Sequence, residues 1–159
     1  MEWPAAFYSR RRGEGCAFCE QGRPDETPYG VRYFAGEVVD AYLQRAAIQR
    51  GYTIAVWRGH HVAEPTDLAR DEAAQFWQEL LAVGRALIAC FEPVKLNYQL
   101  LGNSLPHLHA HVIPRYALDP RPEWPFPFPD DDPAAFPEDE LRADVDRLRA
   151  AVGARERPS

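Results

Sequence analysis

Polar and apolar residues alternate most regularly in His107-Leu108-His109-Ala110-His111-Val112-Ile113. Successive side chains of a strand point to opposite faces, so this run predicts a half-buried strand. One face carries His107, His109 and His111, and the other carries Leu108, Ala110 and Val112. Pro106 suits the first position of the strand and Pro114 its end. The segment Val94 to Leu101 alternates in the same way, with Val94, Leu96, Tyr98 and Leu100 on one face and Lys95, Asn97 and Gln99 on the other. Gly102 turns the chain between the two runs, and so short a connection predicts an antiparallel pair. Asn97 is thereby expected to share a surface with the histidines.

Upstream, Tyr29 to Tyr42 predicts a two-stranded hairpin carried by Val31, Tyr33, Val38 and Val39, with Ala35-Gly36-Glu37 as the turn. A third strand, Tyr52 to Trp57, is rich in β-branched and aromatic residues and follows Gly51. The period then changes. Ala73, Trp77, Leu80, Gly84, Leu87 and Phe91 recur at spacings of three and four and predict a long helix over 70–91. Asp71 and Glu72 suit the positive end of its dipole, Pro93 stops it, and Cys90 reads as a buried core thiol. Residues 117–137 are rich in proline, with Trp124, Phe126, Phe128 and Phe136 interspersed. Such a stretch cannot be an inner strand and reads as an arm wrapped onto the body or a partner contact. Residues 138–151 predict a terminal helix with Leu141, Val145 and Leu148 on one face, and 153–159 a frayed end. Residues 1–15 read as an irregular arm docked by Trp3, Phe7 and Tyr8.

The chain has 159 residues, a length that predicts a single domain with an adequate core. Its net charge of −6 argues against binding a nucleic-acid backbone, which calls for a basic surface. No apolar run approaches the length of a membrane span, and residues 1–15 lack the apolar core of a secretory signal. The expected compartment is therefore the cytoplasm. Three cysteines there do not suggest a disulfide framework. Cys16-Ala17-Phe18-Cys19 is either half of a zinc site or a redox pair, and the closeness of Gly22 and Pro24 favours a metal knuckle over the helix start that redox pairs use. Two thiolates need two further ligands, which the histidines can supply.

Imidazoles at neutral pH supply nucleophiles, bases or metal ligands. A surface cluster or a fortuitous metal stripe is the plainer reading of the row. Three histidines on one strand face, preceded by Gly102-Asn103-Ser104, point further. The run resembles the histidine triad family of nucleotide hydrolases and transferases, whose name describes a His-apolar-His-apolar-His-apolar-apolar sequence, and the likeness extends from about Cys16 to Tyr116. The resemblance implies an α+β fold, with an antiparallel sheet of about five strands carrying the long helix, and a homodimer. It implies attack by His109 on the α-phosphate of a nucleotide conjugate, through a covalent nucleotidyl-histidine that water then releases. His111 would bond the phosphate, and Ser104 would help protonate the leaving group. Asn97 and Asn103 would contact the nucleotide, Asn103 standing where the family usually has glutamine. In a zinc-containing branch, the positions of Cys16, Cys19, His61 and His107 form a closed, structural Zn(2+) site. His60 is the alternative to His61.

One position departs from the pattern. The family usually carries an acidic residue that accepts the ribose hydroxyls, and Gln44 stands there, with Asp40 nearby but out of register. Gln44 can bond a hydroxyl, though without charge. Three functions compete: a nucleotidyl hydrolase or transferase, a non-catalytic nucleotide-binding or scaffold protein, and a thiol redox protein using Cys16 and Cys19.

Overall fold

The computed structural model describes residues 2–124 and 133–153. Five strands form one antiparallel sheet: β1 (Gly30–Ala35), β2 (Val39–Gln44), β3 (Thr53–Trp57), β4 (Lys95–Gln99) and β5 (His109–Arg115), in the order β1-β2-β3-β5-β4. The first three strands form a meander. The chain then crosses the sheet in a long helix, labelled α3 (Arg70–Phe91), and returns through edge strand β4. The histidine strand β5 is thereby set between β3 and β4. Two short helices, α1 (Ala5–Arg11) and α2 (Ala17–Gln21), precede the sheet, and α4 (Glu138–Gly153) closes the described chain.

Alternation decides which face is core. Ala41 and Leu43 of β2, Ala55 and Trp57 of β3 and Ala110 and Val112 of β5 are buried in one cluster with Phe76, Leu80, Val83 and Leu87 of α3 and Leu141, Val145 and Leu148 of α4. Each large side chain so buried contributes about 1.5–3 kcal/mol. The opposite face carries Asp40, Tyr42, Ile54, Val56, His109 and His111.

Several local expectations change. Helix α3 buries Phe76, not Trp77, which is exposed along with Leu81 and Ile88. Both stripes have helical spacing, and the sheet takes the one containing Val83. Leu96 is buried, but Val94, Tyr98 and Leu100 are exposed, because β4 is an edge strand without full helix cover. Strand β5 starts at His109 rather than His107 and runs through Pro114. Pro114 lies beyond the last β3 pair, at Val112, so its missing N–H breaks no bond on that side. Cys90 is half-buried, packed against the core rather than inside it. The N-terminal arm contains α1, and Cys16 caps the start of α2, so the cysteine hook is a short helix and not a bare knuckle. Ala135 bridges to Ala46, and the amide of Phe136 donates to Arg45, which docks the end of the proline-rich segment beside β2. Phe126, Phe128 and residues 154–159 lie outside the described residues.

A histidine cleft beside a thiol–imidazole cluster

Cys16 at the N-cap of α2 and Cys19 within it stand about one helical turn apart, and Gly22 ends that helix with φ +66°. Opposite them, His107 Nδ1 lies 3.4 Å from Cys16 Sγ and 3.5 Å from Cys19 Sγ. His61 Nδ1 is 3.4 Å from Cys19 Sγ. The four ligand atoms all fall within 4.8 Å of one another. A tetrahedral ion with bonds of about 2.3 Å to sulfur and about 2.0 Å to nitrogen places S and N about 3.5 Å apart. Three S···N edges of the cluster, Cys16–His107, Cys19–His107 and Cys19–His61, have that length.

The far nitrogens of both imidazoles are also fixed. His107 Nε2 donates to the Trp57 carbonyl at 2.8 Å, and His61 Nε2 to the Arg11 carbonyl at 3.2 Å. A carbonyl only accepts, so each ring turns a lone pair on Nδ1 toward the thiols, the arrangement that orients metal-ligating histidines. Burial pushes His107 down to about 4, and burial with the neighbouring Cys16 pushes the Cys19 thiol up to about 11. His60 points elsewhere, with Nδ1 3.3 Å from a Glu72 carboxylate oxygen.

Phe18 lies between the two thiols in sequence, and its ring meets His107 and His109 edge-on, with centroids 5.4 Å away in each case. Beyond it opens a cleft of about 600 Å³ on the sheet face opposite α3. Ile54 and Val56 form its floor, Tyr42 and Gln44 its far side, and His109, His111, Ser104 and Leu105 its near side. Strand register makes this arrangement: Tyr42, Ile54 and His111 are paired neighbours across β2, β3 and β5, and so are Asp40, Val56 and His109.

His109 is buried, and its Nδ1 donates to the His107 carbonyl at 2.6 Å. Burial holds this imidazole below its ordinary value. The ring is therefore neutral near pH 7, with its lone pair on Nε2. Burial, with His109 beside it, brings His111 down to about 4.

Gln44, Ser104, His109 and His111 thus line one cleft. Asn97 and Asn103 are not among its lining residues. Asn97 shares the histidine face, paired with Ile113, but its Oδ1 accepts from Arg115 at 2.9 Å, and it lines a separate hollow with Asp119 and Trp124. Asn103 is exposed on the turn after Gly102. The Gln44 amide donates to its own strand, at the Tyr42 carbonyl, 3.3 Å away.

The cleft also holds a residue that the sequence reading passed over. Arg58 is nearly buried and donates to Asp40, to the Phe18 carbonyl and to the Tyr42 hydroxyl. Asp40, fully buried, also accepts from Arg23 and Arg32. Parity was the available signal, since Arg58 follows Ile54 and Val56 at steps of two. Among the described residues no carboxylate lines the cleft.

These features define a five-stranded antiparallel α+β protein with a cleft of about 600 Å³ walled in part by neutral imidazoles. The family comparison agrees. The HIT domain model matches residues 29–118, and the chain belongs to the HIT family. It is 31% identical over 110 residues to Protein hit of Bacillus subtilis (strain 168), covering 65% of this chain and 72% of that one. A histidine triad (HIT) protein from Sinorhizobium meliloti 1021 superposes with a TM-score of 0.68 at 25% identity, over 77% of this chain and 89% of the other. A Zn-bound histidine triad family protein from Mycobacterium smegmatis superposes at 0.63 and 20% identity, over 89% and 96%. Among the described residues no helix is long and apolar enough to cross a membrane.

Proposed function

We propose that the protein is a nucleotide-binding hydrolase or nucleotidyl transferase that cleaves at the α-phosphate of a nucleoside phosphoramidate, dinucleoside polyphosphate or similar conjugate. The observation that carries the reading is His109: a neutral, buried imidazole whose Nδ1 is committed to a carbonyl and whose Nε2 is left as a lone pair in a cleft of nucleotide size. Attack by Nε2 forms a P–N bond as the bond to the leaving group breaks, and Ser104, which lines the same cleft, would assist protonation of that group. Water then attacks phosphorus, the P–N bond breaks, and His109 recovers its lone pair as the nucleoside monophosphate leaves.

Cys16, Cys19, His61 and His107 would hold a structural zinc. The donor set, the S···N spacing and the carbonyl-bound far nitrogens all suit that ion. Four protein ligands leave no open position, so the metal's part is to fix α2 and His107. Trp77, Leu81 and Ile88 on α3, beside Tyr98 at the sheet edge, form an exposed apolar face suited to a two-fold homodimer. The absence of a charged ribose partner at Gln44 favours a second reading, a nucleotide-binding protein without turnover.

The deciding experiment is mass spectrometry of the protein after incubation with a nucleotide library. The expected result is a nucleoside monophosphate adduct on His109, with His109→Ala folded but inactive. Full activity in that variant removes the proposal. Tight nucleotide binding with no turnover of any conjugate selects the second reading.

A further inference from the structure

The two cleft imidazoles are held by different chemistry at the same atom. His109 Nδ1 faces a carbonyl, and His111 Nδ1 faces the Tyr52 hydroxyl at 2.6 Å. Tyr52 immediately precedes β3 and shares the parity of Ile54 and Val56, and Ile54 is the direct partner of His111. The tyrosine ring therefore reaches His111 diagonally, meeting it edge-on at 5.9 Å and 85°.

The phenol can donate to Nδ1, and the assignment of that direction fixes the tautomer of His111. Burial pushes Tyr52 up to about 12, so the phenol keeps its proton near neutrality. Among the described residues Tyr52 Oη has no hydrogen-bond partner besides Nδ1, and we assign its one hydrogen to that nitrogen. A neutral imidazole that accepts at Nδ1 carries its hydrogen on Nε2. The rings of His109 and His111, 5.1 Å apart, are then in opposite tautomers.

We propose that Tyr52 is a positioning residue for His111: its hydroxyl holds the ring so that Nε2–H is presented to a phosphate oxygen, while His109 presents a lone pair to phosphorus. The inference rests on the nucleotide reading above and divides the labour within it. Two lone pairs in the cleft would repel an anionic phosphate. One lone pair and one fixed donor attack and bind it together, and the donor grows in worth as charge gathers on the phosphoryl oxygens. No proton is transferred by His111 in this role.

The test has two arms that need no turnover. Imidazole ¹⁵N spectra of the wild-type full chain should show His111 protonated at Nε2 and His109 at Nδ1. Tyr52→Phe should shift the His111 Nδ1 resonance to that of an unbonded acceptor. In calorimetry with the four nucleoside 5′-monophosphates and their nucleosides, Tyr52→Phe should weaken the best monophosphate about five- to twentyfold, the effect of one hydrogen bond. Its nucleoside should change less than twofold. Where substrate turns over, kcat/KM should fall by more than that factor, because the donor gains worth as charge gathers on the phosphoryl oxygens. His111 protonated at Nδ1 in the wild type overturns the proposal without any variant. Equal monophosphate affinity in a Tyr52→Phe protein of native near-ultraviolet dichroism also overturns it. A wild type that binds monophosphates without turnover overturns only the enzymatic reading, and both arms still decide the role of Tyr52.

Discussion

Replacing Asp40 tests whether the wall of the cleft is held by charge. Its carboxylate is fully buried beneath three arginines. Arg23 reaches it with two bonds of 2.7 and 3.0 Å, Arg58 with one of 3.0 Å and Arg32 with one of 3.4 Å. The three depend on it unequally. The Arg23 side chain is 41% exposed and can rehydrate, and Arg32 retains Asp25. Arg58 is 5% exposed and keeps the Phe18 carbonyl, the Tyr42 hydroxyl and the faces of those two rings, so it becomes a buried cation without a counterion among the described residues. Breaking a buried pair in this way costs about 3–5 kcal/mol. Small domains have about 5–15 kcal/mol in total, and at this chain length the loss lowers Tm by roughly 10 °C. Asp40→Ala should therefore move the urea midpoint by that free energy with an unchanged slope. Asp40→Asn, which keeps one acceptor, should cost less. The partner variant supplies the control: Asp40→Ala with Arg58→Leu should recover about 2 kcal/mol or more, since the stranded cation is gone. A cost below about 1 kcal/mol for Asp40→Ala, or no recovery in the double variant, would refute the account.

Four further outcomes are expected. Glu79, buried on α3, accepts the amides of Glu37, Val38 and Val39 at the β1–β2 turn, so Glu79→Ala should cost about 2–4 kcal/mol in urea unfolding; a loss under about 0.5 kcal/mol contradicts it. Burial keeps His109 below its ordinary value and His111 at about 4. The unfolded chain binds those protons from about pH 6.5 downward and the folded one does not, so these groups should lower stability as pH drops from about 6.5 toward 4 and contribute no slope near pH 7.5. Activity should accordingly show no inflection near pH 6.5, and a half-loss there argues against buried neutral imidazoles. Freshly purified protein should contain one zinc per chain, and a chelator should lower stability by about 3 kcal/mol or more; metal-free protein of unchanged stability excludes a structural ion. Trp77→Glu with Leu81→Glu should convert a dimer into monomers in sedimentation, and a monomeric wild type removes that interface.

Periodicity made the sheet and the two main helices legible, because alternation and helical spacing arise from burial of one face. It failed where two faces were equally apolar. On α3 both the Phe76 and the Trp77 stripes have helical spacing, and only packing against β2, β3 and β5 chooses between them. Charge networks were hidden for another reason. Asp40 and Arg58 lie 18 residues apart in sequence and meet only because Asp40 pairs with Val56, two residues before Arg58. The Tyr52–His111 bond depends likewise on β3–β5 register, which a single sequence does not specify.

The place where strand logic broke down ties the two halves of the site together. A strict alternation would carry His107 in the same strand as His109. Instead the chain bends at His107, whose amide bonds the Leu105 carbonyl, and the ring is drawn to the cysteine hook. Its carbonyl meanwhile accepts from His109 Nδ1. One residue thus gives its ring to the thiol cluster and its backbone to the cleft. Phe18 repeats the pattern from the other side, with its neighbouring thiols in the cluster, its ring against His109 and its carbonyl on Arg58. Any force that moves the hook must move the acceptor that sets the His109 tautomer. This explains mechanically why a metal with no open position would still matter to His109.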